Sequence, residues 1–343
     1  MTTVRYLTPE QVAAKKLREK ADAERAVLDD DPAYYIARHT LPRTGHGTES
    51  HVDASDETIL DNVLCRGERT DSRFLSAEIQ TRAVSLALWS YMRDIYDYVA
   101  DNTATGALAL TVPMLDDDDE PEFVGYGFVK DAPSKNVDGP VRMVRTNAAT
   151  TVVRKNPDAP DGWEILTSYP VSRKSEIPEK ERGDAVFETV RSDFSRTLHG
   201  TRAYRSAGPL YRTYLDYACS GRRMDRDTDV RFTDGAIRIL PHGTDPDAPQ
   251  APAICIKDDP PQGNRITFTV GHAATDVRSE RHLLLVAKAC PELVRTARRL
   301  MDAYDALHRN GADDLDRQKS RVAAAATWTV SSEKAVSGMS FAE

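Results

Sequence analysis

The chain has 343 residues, a formal net charge of −8 and 40% hydrophobic residues, which is enough length and apolar content for two packed domains. The acidic balance excludes a wholly basic nucleic-acid-binding protein, although a local basic groove rather than whole-chain charge decides phosphate binding. The cysteines Cys65, Cys219, Cys255 and Cys290 are scattered without CxxC spacing, against a disulfide scaffold or zinc knuckle, and no apolar run reaches the roughly 18 residues of a membrane span.

In chain order, Thr8, Pro9 and Gln11 form a capping box at the head of a helix expected from Pro9 to about Leu28, ended by Asp29-Asp30-Asp31-Pro32. A loop rich in Gly, Thr and His follows, over about 38–49. Ser55 is an N-cap, with Asp56 and Glu57 in a first turn where the helix dipole favours them. A longer helix is expected from about Ser76 to Asp101, with Ala83, Val84, Leu88, Met92, Ile95 and Val99 at helical spacing. The pattern then turns to strands: Ala107–Val112, Phe123–Val129, Val141–Val144, Thr150–Val153 and Trp163–Tyr169, with the acidic run Asp116–Glu120 as a solvated loop. Helices followed by antiparallel strands give an α+β fold class. Beyond Pro170, a polar linker is expected over Lys174–Arg182 and helix over about 183–223. Strands are expected over Val230–Leu240, Ala253–Lys257 and Arg265–Val270, and a helix over about Ser279–Arg309, interrupted near Pro291. The domain lines fall at 1–37 (a helical segment), 38–172 (the first α+β domain), 183–310 (a second α+β domain without a chemical motif) and 311–343 (a polar tail).

The residues able to carry chemistry sit at two distant places. His46 and His51 lie in the loop Gly45-His46-Gly47-Thr48-Glu49-Ser50-His51-Val52, and histidine suits proton transfer near neutral pH. Thr167 and Tyr169 lie two apart on an expected strand, so their hydroxyls share a face. Metal-free RNA cleavage needs this kind of set. A base takes the 2′-hydroxyl proton, an acid protonates the leaving oxygen, and donors steady the phosphorane charge. Taken alone, the histidines also fit loop-fixing hydrogen bonds, and a Thr-x-Tyr strand end also fits ordinary sheet-edge structure.

Four blocks in order resemble the bacterial ribonuclease A-like toxin domain of contact-dependent growth inhibition proteins and other polymorphic toxins. They are Gly45-His46-Gly47-Thr48 with His51-Val52, Ser72-Arg73-Phe74 with Ala83, Val124-Gly125, and Asp161-Gly162-Trp163-Glu164-Ile165-Leu166-Thr167-Ser168-Tyr169-Pro170. The resemblance covers about a third of the chain and implies a metal-independent endoribonuclease toxin, without cofactor, that leaves a 2′,3′-cyclic phosphate. Its implied partners are an RNA substrate, with tRNA among the candidates, and an immunity protein. The family's histidine falls on His51, with His46 as the second candidate, and its threonine and tyrosine fall on Thr167 and Tyr169. Its arginine falls near Asn62, where this chain has no basic residue, and Arg66, one helical turn on, is the candidate substitute.

The alternative is a catalytically impaired module of the same fold, binding or structural, associated with a phage or secretion system; Asn62 favours it. The segment Met1–Tyr6 lacks the apolar core of a signal peptide. The expected site of action is the cytoplasm of a producing or target cell, reached through a secretion system. In the second half, Arg191, Arg196, Arg202, Arg205, Arg212, Arg222 and Arg223 interleave with Tyr204, Tyr211, Tyr214 and Tyr217. Helices with inward tyrosines and wet arginines are the favoured reading there, over an RNA grip.

Overall fold

The computed structural model describes residues 8–40, 51–65, 68–131, 139–190, 194–220, 227–244, 252–259, 263–270, 273–277, 288, 290–309 and 327–331. The chain forms two compact units. One comprises Met1–Ile59, Thr70–Val129 and Met143–Val190, and the other Leu60–Arg69, Lys130–Arg142 and Arg191–Glu343.

The first unit is α+β. Helix α1 (Pro9–Asp30) starts at the expected box: Thr8 accepts from the Gln11 backbone and the Gln11 side chain accepts from the Thr8 N–H. The aspartates and Pro32 end α1, but they also begin a second helix, α2 (Pro32–His39), which the sequence reading lacked. Asp31 closes one helix with its backbone and caps the next with its carboxylate, which accepts from Tyr34 N, while Pro32 sits at the first helical position. Helix α3 (Asp56–Cys65) is capped by Ser55, whose hydroxyl accepts from Thr58 N. Helix α4 (Ala77–Ala100) lies where a helix was expected, and Ser76 caps it by accepting from Ile79 N.

The strands build two small sheets rather than one. Strands β2 (Ala107–Pro113), β5 (Ala148–Lys155) and β6 (Trp163–Pro170) form a three-stranded antiparallel sheet in the order β2-β5-β6. Strands β1 (Thr70–Phe74), β3 (Gly125–Lys130), β4 (Val141–Thr146) and β7 (Phe187–Val190) form the second, with β1 at its edge. Neither β1 nor β7 was expected from sequence. Asn147 turns the chain from β4 into β5, and it is fully buried and satisfied. Its amide donates to Met114 O and Asp184 O, and its carbonyl accepts from Val186 N. The segment expected as a polar linker, Lys174–Arg182, is instead two short 3₁₀ turns held by the buried Ile177.

The main core lies where α4 crosses the three-stranded sheet. Val84, Leu88, Met92 and Ile95 meet Leu110, Val112, Val153, Trp163 and Ile165, and α1 and α2 add Ala21, Leu28 and Tyr35. Trp163 is fully buried and stacks on His39 at 4.0 Å between ring centroids. His39 Nδ1 donates to Tyr35 O, and its Nε2 lies 3.5 Å from Asp161. Burial holds His39 below its ordinary 6.5, outweighing the opposing hydrogen bond to Tyr35 O and the pull of Asp161 and Glu24. The charges facing it are Arg38 from α2, Lys20 and Glu24 from α1, and Asp161 from the turn before β6. Burial acts upward on the Asp161 carboxyl too, but Lys20, Arg38 and His39 outweigh it and hold the group below 3.8.

The sign of the pH effect follows. His39 is favoured neutral in the fold, so the unfolded chain takes up its proton first. Stability is expected to fall as pH drops below about 6.5, and again as Asp161 protonates below about 3.8. Thermal melts from pH 8 to 5 check this. His39→Phe is expected to flatten the first step, and an unchanged slope in that variant would refute the assignment to His39.

The second unit carries a six-stranded sheet of β8 (Thr228–Thr233), β9 (Ala236–Pro241), β10 (Ala253–Asp259), β11 (Gly263–Val270), β12 (Ala273–Val277) and β13 (Thr327–Ser331), in the order β12-β13-β11-β10-β9-β8. Among the described strand pairs of this sheet, only β11–β13 is parallel. Helices α5 (Ser195–Gly200), α6 (Arg202–Ser206), α7 (Pro209–Ala218) and α8 (Pro291–Arg309) complete it. Tyr214 is buried, its ring 5.7 Å from that of Phe232, whereas the Arg202 side chain is 75% exposed. Those two residues follow the inward-tyrosine, wet-arginine pattern. His199 and Tyr204 share the carboxylate of Asp216, each at 3.0 Å.

Candidate functional site

Strand β6 places the Thr-x-Tyr pair, and a bulge decides where it faces. Val153 pairs with Ile165 and Val152 with Thr167, which leaves Leu166 as an extra residue. With plain alternation, Trp163, Ile165, Thr167 and Tyr169 would share one face. The bulge breaks that pattern. Trp163 and Ile165 stay in the core, and Thr167 and Tyr169 turn to the opposite face, beside Val152 and Thr150. The Thr150 hydroxyl is in turn 2.8 Å from that of Thr111, across to β2.

His51 reaches this face by docking on the free edge of β1. Backbone bonds from Leu75 N to Val124 O and from Lys130 N to Arg69 O set the alternation along β1. Ser72 therefore points its N–H and C=O away from β3. Its N–H donates to its neighbour Asp71, at 2.8 Å from the carboxylate, and its C=O accepts from His51 Nδ1, also at 2.8 Å. The Ser72 hydroxyl, nearly fully buried, donates to Pro170 O at 2.6 Å and so ties β1 to the end of β6. As a result the His51 and Tyr169 rings lie 5.8 Å apart, tilted by 45°. The close approach of Pro170–Ser172 to the β1–β3 ribbon requires glycine on β3. A Cβ on Gly127 would fall 2.3 Å from Ser172 Oγ, and one on Gly125 would fall 2.4 Å from the Pro170 ring.

The loop after His51 is pinned as well. Val52 packs on Phe74, Met114, Val124 and Ala149. Arg73 Nη1 donates to Ala54 O at 2.8 Å and pairs with Asp56 at 3.5 Å, and Tyr126 donates to Asp56 at 2.6 Å. Burial and that carboxylate push the Tyr126 hydroxyl up to about 12.

The bond to Ser72 O fixes the His51 tautomer. Nδ1 must carry the hydrogen, so in the neutral ring Nε2 holds the lone pair and is the nitrogen left available to accept a proton. The Thr167 hydroxyl oxygen is buried with no hydrogen-bond partner among the described residues, a costly state that a bound acceptor would relieve. The Tyr169 hydroxyl is pushed above its ordinary 10.0 by burial first and by the charge of Glu176 second, so it stays a protonated donor at neutral pH.

The fold thus brings together three of the five sequence candidates. The other two, His46 and Arg66, lie outside the described residues. Asn62 lies within α3, where the resemblance expects an arginine. Sequence reasoning passed over Ser72, Arg73 and Glu176. Ser72 and Arg73 were visible within a resemblance block, but their roles depend on strand-edge pairing that no local pattern reports. Among the described residues, no group of three or more His, Cys, Asp or Glu could hold a metal ion, and no helix is long and apolar enough to cross a membrane.

Comparison with known proteins supplies the family. Residues 45–170 match the family model described as the bacterial CdiA-CT RNAse A domain. A solved structure described as a CdiA-CT/CdiI complex from Y. kristensenii 33638 is 21% identical, covering 37% of this chain and 99% of that one, with a TM-score of 0.29. No curated protein matches the chain. The matched segment starts at the histidine loop and ends at Pro170, taking in 126 of the chain's 343 residues. Residues 45–170 thus match a bacterial CdiA-CT RNAse A domain, and the similarity belongs to that segment of the chain.

Proposed function

We propose that residues 45–170 act as a metal-independent endoribonuclease toxin that cleaves cellular RNA, with tRNA among the candidate substrates, by transphosphorylation to a 2′,3′-cyclic phosphate. The observation that carries this reading is the meeting of the His51 and Tyr169 rings from two distant segments, with the buried, unpartnered Thr167 hydroxyl two residues from Tyr169 on the same strand face. His51 Nε2 exchanges the proton of the reaction. The hydroxyls of Thr167 and Tyr169 donate to the non-bridging phosphate oxygens, whose charge grows in the transition state. Arg66 is the candidate fourth member, supplying positive charge in place of the residue at Asn62. His46 is the second candidate for proton transfer.

By the same reading, an immunity protein blocks the domain in the producing cell. Delivery through a secretion system brings it to the cytoplasm of a target cell. What supports these two points is the likeness of residues 45–170 to a CdiA-CT toxin domain.

Asn62 favours a second reading, in which the domain keeps its fold but has lost its catalysis. One experiment separates the two. Purified full-length protein is incubated with total RNA and with tRNA in excess EDTA, and product ends are mapped. Cleavage with 2′,3′-cyclic phosphate ends is the expected result. Intact RNA at high protein concentration would favour the impaired module, and cleavage that EDTA abolishes would overturn metal independence.

A further inference from the structure

Transphosphorylation moves two protons, one off the 2′-hydroxyl and one onto the leaving 5′-oxygen. Among the described groups of the site, His51 is one carrier of the right kind. Thr167 does not ionise near neutral pH, and Tyr169 is held protonated. A second titratable group stands at the site, on a segment beyond the family-matched residues. Glu176 closes the turn Lys174–Glu176 and is exposed, as a group meeting a substrate must be. Its position is set from both sides. Val171, Ser172 and Ile177 are buried, Glu176 N donates to Arg173 O at 3.0 Å, and Arg182 holds Ile177 O at 2.9 Å.

The carboxylate reaches β1, where Thr70 Oγ1 donates to Glu176 Oε1 in a long contact of 3.5 Å. Thr70 is two residues before Ser72, the docking point of His51. Two residues along a strand span roughly 7 Å. Glu176 and His51 thus contact β1 two residues apart, on a scale that a single phosphate and its flanking oxygens can bridge. Tyr169 lies within the field of both: its ring meets His51, and its hydroxyl is raised in part by the Glu176 charge.

We infer that Glu176 is a further catalytic residue of this site, the general base for the 2′-hydroxyl, with protonated His51 as the general acid. The inference rests on the ribonuclease reading of the site. In the step, the 2′-O–H proton passes to the Glu176 carboxylate as the O2′–P bond forms. The P–O5′ bond breaks and O5′ takes the proton from His51 Nε2, while the Thr167 and Tyr169 hydroxyls hold the non-bridging oxygens throughout. No oxidant, reductant or metal enters the balance, and water restores both groups when the cyclic phosphate leaves.

The test is the pH profile of kcat/KM for full-length protein on a fluorophore-quencher RNA oligonucleotide in EDTA, with Glu176→Gln, Glu176→Asp and His51→Ala in parallel. The wild type is expected to give a bell, needing Glu176 deprotonated and His51 protonated. Glu176→Gln is expected to lower kcat/KM by about 10²–10⁴-fold and to lose the acidic limb. Glu176→Asp is expected to keep that limb at a reduced rate. An acidic limb that persists in Glu176→Gln, whatever its rate, overturns the assignment while leaving the site intact if His51→Ala is inactive. Wild-type rates in His51→Ala would remove His51 from the mechanism and the acid role assigned to it with it, and no cleavage by the wild type would bring down the ribonuclease reading itself. A readout independent of activity is the ultraviolet difference titration of Glu176→Gln against wild type. One tyrosine is expected to ionise at lower pH once the neighbouring charge is gone, and superimposable titrations would show that Glu176 does not face Tyr169.

Discussion

His51→Ala is expected to lower RNA cleavage by about 10²–10⁴-fold with little change in stability. The rate loss follows because Nε2 is the proton-transfer atom of the proposed reaction and the bond from Nδ1 to Ser72 O commits the ring to that task. The stability loss is small because the deleted bond is a single one, worth about 0.5–1.5 kcal/mol. Its acceptor lies at a strand edge, where water can replace the imidazole. Ser72 keeps its own link to Pro170, so β1 and β6 stay joined. Initial rates and thermal melts on the same preparation check both halves. A variant that melts like wild type and still cleaves would remove His51 from the mechanism and bring His46 forward. A variant that fails to fold would show that the His51 loop is structural first.

Trp163→Ala is expected to cost about 3–5 kcal/mol. Trp163 is fully buried where α4, the N-terminal helices and the sheet meet, and it has His39 stacked on it. Truncation leaves a cavity that a ring stack and a β-strand cannot collapse to fill. Against a typical domain stability of about 5–15 kcal/mol, that is a large share. Chemical denaturation followed by circular dichroism measures it. Trp89→Ala is the matched control: Trp89 is 46% exposed on α4 and is expected to cost about 1 kcal/mol or less. Equal losses at the two tryptophans would mean that the core is not where the fold puts it. Because Trp163 lies four and six residues before Thr167 and Tyr169 on the same strand, activity is expected to track the folded fraction, with KM largely kept in the molecules that remain folded.

The helix boundaries were legible because their causes are local. The Thr8–Gln11 box, Ser55 and Ser76 each satisfy the first free backbone N–H groups within three residues; the first two caps appear where the sequence put them, and Ser76 caps the helix whose start was expected there. Helix α2 was missed for a related reason. Asp31-Pro32 reads as a stop signal, yet the same two residues supply an N-cap and a first helical position, and the burial of Tyr35 and His39 decides that a helix follows. Strands β1 and β7 are short pieces whose hydrogen bonds come from β3 and β4, far along the chain, so no pattern inside them announces them.

The site divides the same way. The residue types, the Thr-x-Tyr spacing and the histidine loop are sequence properties, and the strand period alone puts Thr167 and Tyr169 on a shared face. Which face, and what meets it, are tertiary facts. The unpaired Leu166 turns the pair away from Trp163, because the pairing register with β5 gains one residue there. The edge carbonyl of Ser72 captures His51, because among the described residues no strand pairs with the outer side of β1. Glycines on β3 let Pro170–Ser172 press against the ribbon, and the turn that follows carries Glu176 to Thr70. Sequence by itself determined which groups could do the chemistry. Only long-range pairing, closed by contacts more than a hundred residues apart in the case of Thr70 and Glu176, decided which of them meet.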